Sequence, residues 1–224
     1  RALRFPSAIQ IDTFAKGRVE ILKFKIGDNS VLDNLKISDI TPDADGYVYA
    51  GLFGVTEGTA NNENYIKNLT IENVNIKTTG HIVAAAVAYP YYTTLENIKV
   101  QGNVAIEGGD YTSGVLAYTR RLVNAKNIAI AANAGSVIEG SATIGGVISD
   151  IQTNGGLVAN YSNFAASGLT IKGVRNIGGI AGISEGNIDN AQVYCTIEAP
   201  SFPSVGMITG ATARTETAKV TNCA

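Results

Sequence analysis

The chain has no tryptophan, one histidine, one methionine and only two cysteines among its 224 residues. Without a second histidine, the common His-based metal sites and His-paired acid–base schemes are excluded. Two cysteines are too few to imply a disulfide framework or a zinc site. Charge is scarce as well. Only 16% of residues are charged, the formal net charge is −2, and no Lys/Arg stripe appears, so a phosphate-binding surface for nucleic acid is not expected. No window approaches 18 uninterrupted apolar residues, so nothing reads as a membrane-spanning helix. No convincing amphipathic helix of ten or more residues is present either, which argues against leucine-rich repeats and βαβ units. The chain opens at Arg1 with neither Met nor a visible signal peptide, and reads as a processed or excised piece of something longer. What remains is 45% hydrophobic residues and 25 glycines, too apolar a composition for disorder.

Those residues are organised as a repeat. Asn, an apolar residue, any residue and a second apolar residue recur as Asn34-Leu35-Lys36-Ile37, Asn68-Leu69-Thr70-Ile71, Asn97-Ile98-Lys99-Val100 and Asn127-Ile128-Ala129-Ile130. Gly168-Leu169-Thr170-Ile171 reads as a copy with Gly for Asn. Asn190-Ala191-Gln192-Val193 restores the motif, and Asn222-Cys223-Ala224 begins a seventh. Alternation over so few positions describes half-buried strands. Between these copies lie pairs of small residues followed by apolar ones: Ala50-Gly51-Leu52, Ala84-Ala85-Ala86, Ser113-Gly114-Val115, Gly145-Gly146-Val147, Gly178-Gly179-Ile180 and Val205-Gly206-Met207. Asn34 to Ala50, Asn68 to Ala84 and Asn97 to Ser113 are each sixteen residues apart; Asn127 to Gly145 is longer and Gly168 to Gly178 shorter. A third strand often follows the Asn strand, as at Val74 and Ile76 or Val104 and Ile106.

Two or three short strands per repeat, with no helix, predict an all-β parallel β-helix, a solenoid of about seven irregular coils. One coil cannot bury its inward Leu/Ile/Val row alone, so each needs a neighbour above and below. At the usual ~4.8 Å strand spacing, seven coils make a rod roughly 30 Å long. Asn suits a fixed corner because it tolerates the left-handed conformation, and stacked copies can pair amide to amide. The paired small residues fit a tight corner or a narrow cross-section. Residues 1–30 fit the repeat poorly and are expected to be an N-terminal cap or a joint to a preceding domain, with residues 31–224 forming the coils and the last coil incomplete.

The run Gly178-Gly179-Ile180-Ala181-Gly182 through Gly186-Asn187-Ile188-Asp189-Asn190, with Ala50-Gly51-Leu52-Phe53-Gly54 next, resembles the GLUG repeat from about Val31 onward. The copies at Ala84 and Ser113 depart from that pattern. The resemblance implies a right-handed β-helix in an extracellular or surface-anchored bacterial protein, of the kind found in adhesin-like proteins and in non-catalytic regions of immunoglobulin A1 peptidases. The repeated residues are structural in that family, so it carries over no catalytic position.

Individual residues add little chemistry. His81 precedes Ile82-Val83 and reads as a turn histidine. Cys195 is in phase with Val193 and Ile197, and Cys223 takes the slot of Ala191; both read as small core hydrophobes, with pairing left open. Pro42-Asp43-Ala44-Asp45-Gly46 has the flavour of a calcium loop but lacks the further acids and distal Glu, so an Asp/Gly turn is expected. The outward row of the Asn strands, Lys36, Thr70, Lys99, Ala129, Thr170 and Gln192, contains no acid, and Glu72, Glu96, Glu107 and Asp189 are scattered. A glycosidase needs two carboxylates at a set separation. Length variation concentrates between the small-residue strand and the next Asn strand: 56–65, 89–94, 118–124, 150–166 and 210–219. Insertions at one solenoid corner emerge on one side, and these carry Tyr65, Tyr89, Tyr91, Tyr92, Tyr118, Arg120, Arg121, Tyr161 and Phe164. Tyr89, Tyr91, Tyr92, Tyr118, Arg120, Arg121 and Tyr161 are therefore the expected ligand-binding residues, on loops, for a host protein or a glycan. The favoured reading is a non-catalytic module of a cell-surface or secreted protein, monomeric within a longer chain and without cofactor. The alternative is a carbohydrate-active β-helix enzyme or its substrate-binding fragment.

Overall fold

The computed structural model describes residues 10–12, 30–38, 40, 42, 46–120, 124–152, 160–200, 204–212 and 218–224. Those residues contain strands and turns and no helix. Three parallel sheets wind around one core. The long sheet runs through Gln10–Asp12, Lys36–Ser38, Asn64–Lys77, Thr93–Glu107, Asn124–Glu139, Asn160–Lys172, Asn187–Glu198 and Val220–Thr221, with Ser30–Asp33 also on Asn64–Lys77. A first short sheet stacks Tyr49–Ala50, Ile82–Ala84, Tyr111–Ser113, Thr143–Gly145, Asn176–Gly178 and Ser204–Gly206. A second short sheet stacks Phe53–Glu57, Val87–Tyr91, Leu116–Arg120, Ile148–Gln152, Ala181–Ser184 and Thr209–Thr212. The expected parallel β-solenoid is present, but with about five turns. The count of seven took the partial first and last windings as whole coils. From the N-terminal segment, Gln10–Asp12 pairs in parallel with Lys36–Ser38.

Each long strand is bent by residues in the left-handed region, and this decides where the Asn residues sit. At the first bend Asn68, Asn97, Asn127, Asn163, Asn190 and Asn222 have φ between 53 and 60°. Asn97 Nδ2 donates to Asn68 Oδ1 at 2.8 Å, Asn127 to Asn97 at 2.8 Å, Asn163 to Asn127 at 2.7 Å and Asn190 to Asn163 at 2.7 Å. An Asn side chain accepts the left-handed backbone with little cost and spends its amide on the rungs above and below.

A second bend lies further along the same strands, at Asn34, Asn73, Gly102, Gly135 and Gly168. Two expected copies of the motif belong there. Lys36 pairs with Asn75 and Asp33 with Glu72, which puts Asn34 opposite Asn73, not Asn68. Ile128 pairs with Phe164 and Phe164 with Ala191, so Asn163, not Gly168, continues the ladder. With Asn163 in place, the corner at Gly178 follows fifteen residues later, close to the sixteen of the regular turns. The longer turn from Asn127 is accounted for by the register shift between Ala132 and Val137. The third strand read at Val74 and Ile76 is the last arm of the long strand.

Inward side chains stack by size. Leu69, Ile98, Ile128, Phe164 and Ala191 follow one column, and Ile71, Val100, Ile130, Ala166 and Val193 the next. The bulk of Phe164 is offset by Ala166 beside it and Ala191 on the next rung, which keeps the cross-section constant. Among the described residues no helix is long and apolar enough to cross a membrane.

Candidate functional site

The paired small residues mark the corner where the first short sheet turns into the second. Here the outward side chains of the two sheets face each other, so the corner is concave toward solvent. At Gly145, Gly178 and Gly206 an added Cβ would collide with the carbonyl oxygens of Ile148, Ala181 and Thr209 three residues on. Ser113 occupies the same column and donates its hydroxyl to the Leu116 carbonyl. Glycine is therefore required by backbone approach at these rungs, not by its conformational freedom.

Toward the other end the same corner is wider and is filled from outside. Ile82, Ala84, Ala88 and Ala117 form a small apolar cluster separate from the main core, covered by Tyr49, Tyr89, Tyr111 and Tyr118. The rings make a continuous strip. Tyr89 and Tyr118 lie parallel at 5.7 Å, and Tyr91 is parallel to Tyr89 at 6.4 Å. Tyr49 meets Tyr89 edge-on at 5.7 Å and Tyr111 meets Tyr118 edge-on at 4.8 Å. Tyr92 stands perpendicular to Tyr91 at 4.9 Å, while Tyr47 links Tyr49 to His81. Tyr47 is 46% exposed and the rest are half-buried, so part of the strip reaches solvent. Burial raises the Tyr111 hydroxyl above the ordinary tyrosine range, and it pushes the Tyr118 hydroxyl up to about 12. Both therefore stay protonated at neutral pH, and Tyr118 gives its one proton to Gln152.

The expected binding residues divide as follows. Tyr89 and Tyr91 lie on Val87–Tyr91, and Tyr118 and Arg120 on Leu116–Arg120, so they are strand residues, not loop residues. Tyr92 forms a one-residue corner with φ of 46°, a conformation that bulky residues rarely adopt. Arg120 is exposed at the strip's edge, while Arg121 lies outside the described residues. Tyr161 is corrected outright: it is 1% exposed, its hydroxyl lies 3.3 Å from Thr119 Oγ1, and its ring packs against Phe164 inside the solenoid. The small Ala125 on the rung before it leaves the room. Tyr65 is 57% exposed and sits on the long sheet, next to Asn64, whose N–H bonds the Tyr92 carbonyl, and it is not among the stacked rings.

Sequence reasoning missed Tyr47, Tyr49 and Tyr111, and it missed Asp150. The signal for Asp150 was a carboxylate between the inward Ile148 and Ile151. Asp150 continues the Tyr89–Tyr118 column by one rung and is 3% exposed. Gln152 bridges the two, accepting from the Tyr118 hydroxyl at 2.9 Å and donating to Asp150 Oδ2 at 3.2 Å.

The remaining candidates stay minor. His81 Nδ1 is buried without a hydrogen-bond partner beside Tyr47. Cys195 and Cys223 are both free thiols packed at the edge of the core, and burial pushes the Cys195 thiol up. Asp43 and Asp45 lie outside the described residues. Among the described residues no three His, Cys, Asp or Glu side chains gather as a metal centre would need. Lys36 and Thr170 leave the outward row, which instead runs Thr70, Lys99, Ala129, Ala165 and Gln192.

No family model, no curated protein and no solved structure matches this chain.

Proposed function

We propose that the chain is a non-catalytic repeat module of a bacterial cell-surface or secreted protein that binds a glycan or host protein through the tyrosine strip. The observation that carries this reading is the continuity of the strip: rings from three successive rungs meet over one concave corner. Rings held by their neighbours lose little conformational entropy on binding, and each brings a hydroxyl that can take part in polar contacts. Parallel rings at 5.7 Å leave no room for a ligand between them, so a partner engages their edges. The surface assignment is supported by the resemblance of the Gly178 and Ala50 runs to the GLUG repeat.

A carbohydrate-active enzyme is the second reading, supported by Asp150. Burial first, and Glu185 on the next rung to a lesser degree, push its carboxyl up to about 7 against the Gln152 hydrogen bond, an arrangement suited to a general acid.

One assay separates the two. The purified chain is screened on a glycan array, incubated long enough to detect degradation as well as binding. Binding that is lost in Tyr91→Ala and kept in Tyr65→Ala is expected. Cleavage that is lost in Asp150→Asn would replace this reading with the enzyme, and binding indifferent to Tyr91 would remove the strip from it.

A further inference from the structure

Asp150 sits where a carboxylate is least at ease. It is 3% exposed; its Oδ1 is buried without a hydrogen-bond partner, and Oδ2 has the Gln152 amide at 3.2 Å. Among the described residues no cation pairs with it. A buried carboxylate in such a place either keeps a proton or moves toward water, because one neutral hydrogen bond does not offset the lost hydration.

The groups that face it offer no positive charge. Tyr118 comes from the preceding rung and Tyr111 from the first short sheet; Tyr161 approaches from the core and Glu185 from the following rung. Glu185 opposes ionisation further, against the Gln152 bond that favours it, and burial outweighs both. Arg120, at the end of Tyr118's strand, acts on the Tyr118 hydroxyl, and Arg175 acts on the Tyr111 hydroxyl. The Gln152 side chain links the strip to the carboxyl, since the amide that holds Asp150 also holds Tyr118.

We propose that Asp150 is a proton switch for the tyrosine strip. Protonated, it stays beneath Tyr118 with the Gln152 bridge intact. Ionised, it turns toward water, takes Gln152 with it, and frees the Tyr118 ring from its stack on Tyr89. The strip is then ordered on the acid side of neutrality and loosened on the alkaline side. The consequence for binding rests on the strip being the binding face; the switch itself does not.

The test is NMR titration of the whole chain with labelled aspartate carboxyls and tyrosine rings. The Asp150 carboxyl and the Tyr118 ring are expected to shift with one common midpoint near neutrality, while Tyr65 stays still. In Asp150→Asn the Tyr118 transition disappears. In Gln152→Met the carboxyl still titrates near neutrality but Tyr118 no longer follows, which keeps the test open should the first variant fold poorly. Titration of Asp150 near the ordinary value of about 4, or a Tyr118 ring that ignores it, overturns the switch. On the glycan array, full coupling predicts roughly thirtyfold weaker binding at about pH 8.5 than at about pH 5.5, from the fraction of competent strip. Equal binding at both pH values refutes the gating. Silence at both sinks the glycan-binding reading alone, and the titration still decides the switch.

Discussion

Asn127 offers the sharpest test of why asparagine recurs at the first bend. Its amide donates to Asn97 at 2.8 Å and accepts from Asn163 at 2.7 Å, while its backbone holds φ at 56°. Replacing it with Gly removes both ladder bonds and leaves the left-handed backbone unstrained. At about 0.5–1.5 kcal/mol for each net hydrogen bond, and at the low end for exposed amides, that loss is about 1–2 kcal/mol. Replacing it with Ala removes the same bonds and adds roughly 1–2 kcal/mol for a Cβ in the left-handed region. Asn133→Ala isolates the hydrogen-bond part, because Asn133 donates one amide bond to Asn103 at 2.9 Å and is not among the residues with positive φ. Urea unfolding of the three variants, followed by circular dichroism with comparable m-values, should rank stability as Asn133→Ala, then Asn127→Gly, then Asn127→Ala. If Asn127→Ala proves as stable as Asn127→Gly, conformation is not what selects asparagine at this bend or at the second.

Two further outcomes follow from the corner and its carboxyl. The raised Asp150 pKa means that the stability this group contributes is fully present below its unfolded value near 3.8 and is lost as pH rises through about 7. At ~1.4 kcal/mol per unit the loss is up to about 4 kcal/mol, so Asp150→Asn should match the parent near pH 4 and exceed it near pH 8 in Tm; a parent whose stability rises over that interval contradicts the burial argument. Gly145→Ala should cost more than about 3 kcal/mol, since its Cβ would overlap the Ile148 carbonyl, whereas Gly135→Ala meets nothing within 4 Å and carries only the roughly 1–2 kcal/mol of its left-handed backbone; similar losses for the two would show that the corner has room.

How much of this was legible depends on what each residue type announces. Solenoid and sheet direction follow from the recurring Asn-apolar-x-apolar run, because any in-phase winding buries the same row. The assignment of Asn34 and Gly168 did not follow, because both bends demand a left-handed residue, and Asn and Gly satisfy that demand equally. Asn163 escaped notice since its followers, Phe164-Ala165-Ala166, carry the column's bulk in one ring instead of two branched residues. The tyrosine strip was seen in part. Pro90 lies in 89–94, which reads as a loop, yet it sits buried in a strand and pairs with Thr56. Tyr47, Tyr49 and Tyr111 come from the far side of the corner, and only the fold brings them to Tyr89 and Tyr118.

The ladder of asparagine amides has a direction. Every link from Asn68 to Asn190 runs the same way, with the later residue donating and the earlier one accepting. The amide dipoles therefore add along the axis, as peptide dipoles do in a helix, with donors facing the start of the chain and acceptors facing its end. After Asn190 the pattern changes register: Asn222 Nδ2 donates to Asp189 Oδ1 at 2.8 Å, and a carboxylate replaces a carbonyl as acceptor. A stack with such polarity is extended by a further rung only in the same sense, each new amide donating toward the start of the chain.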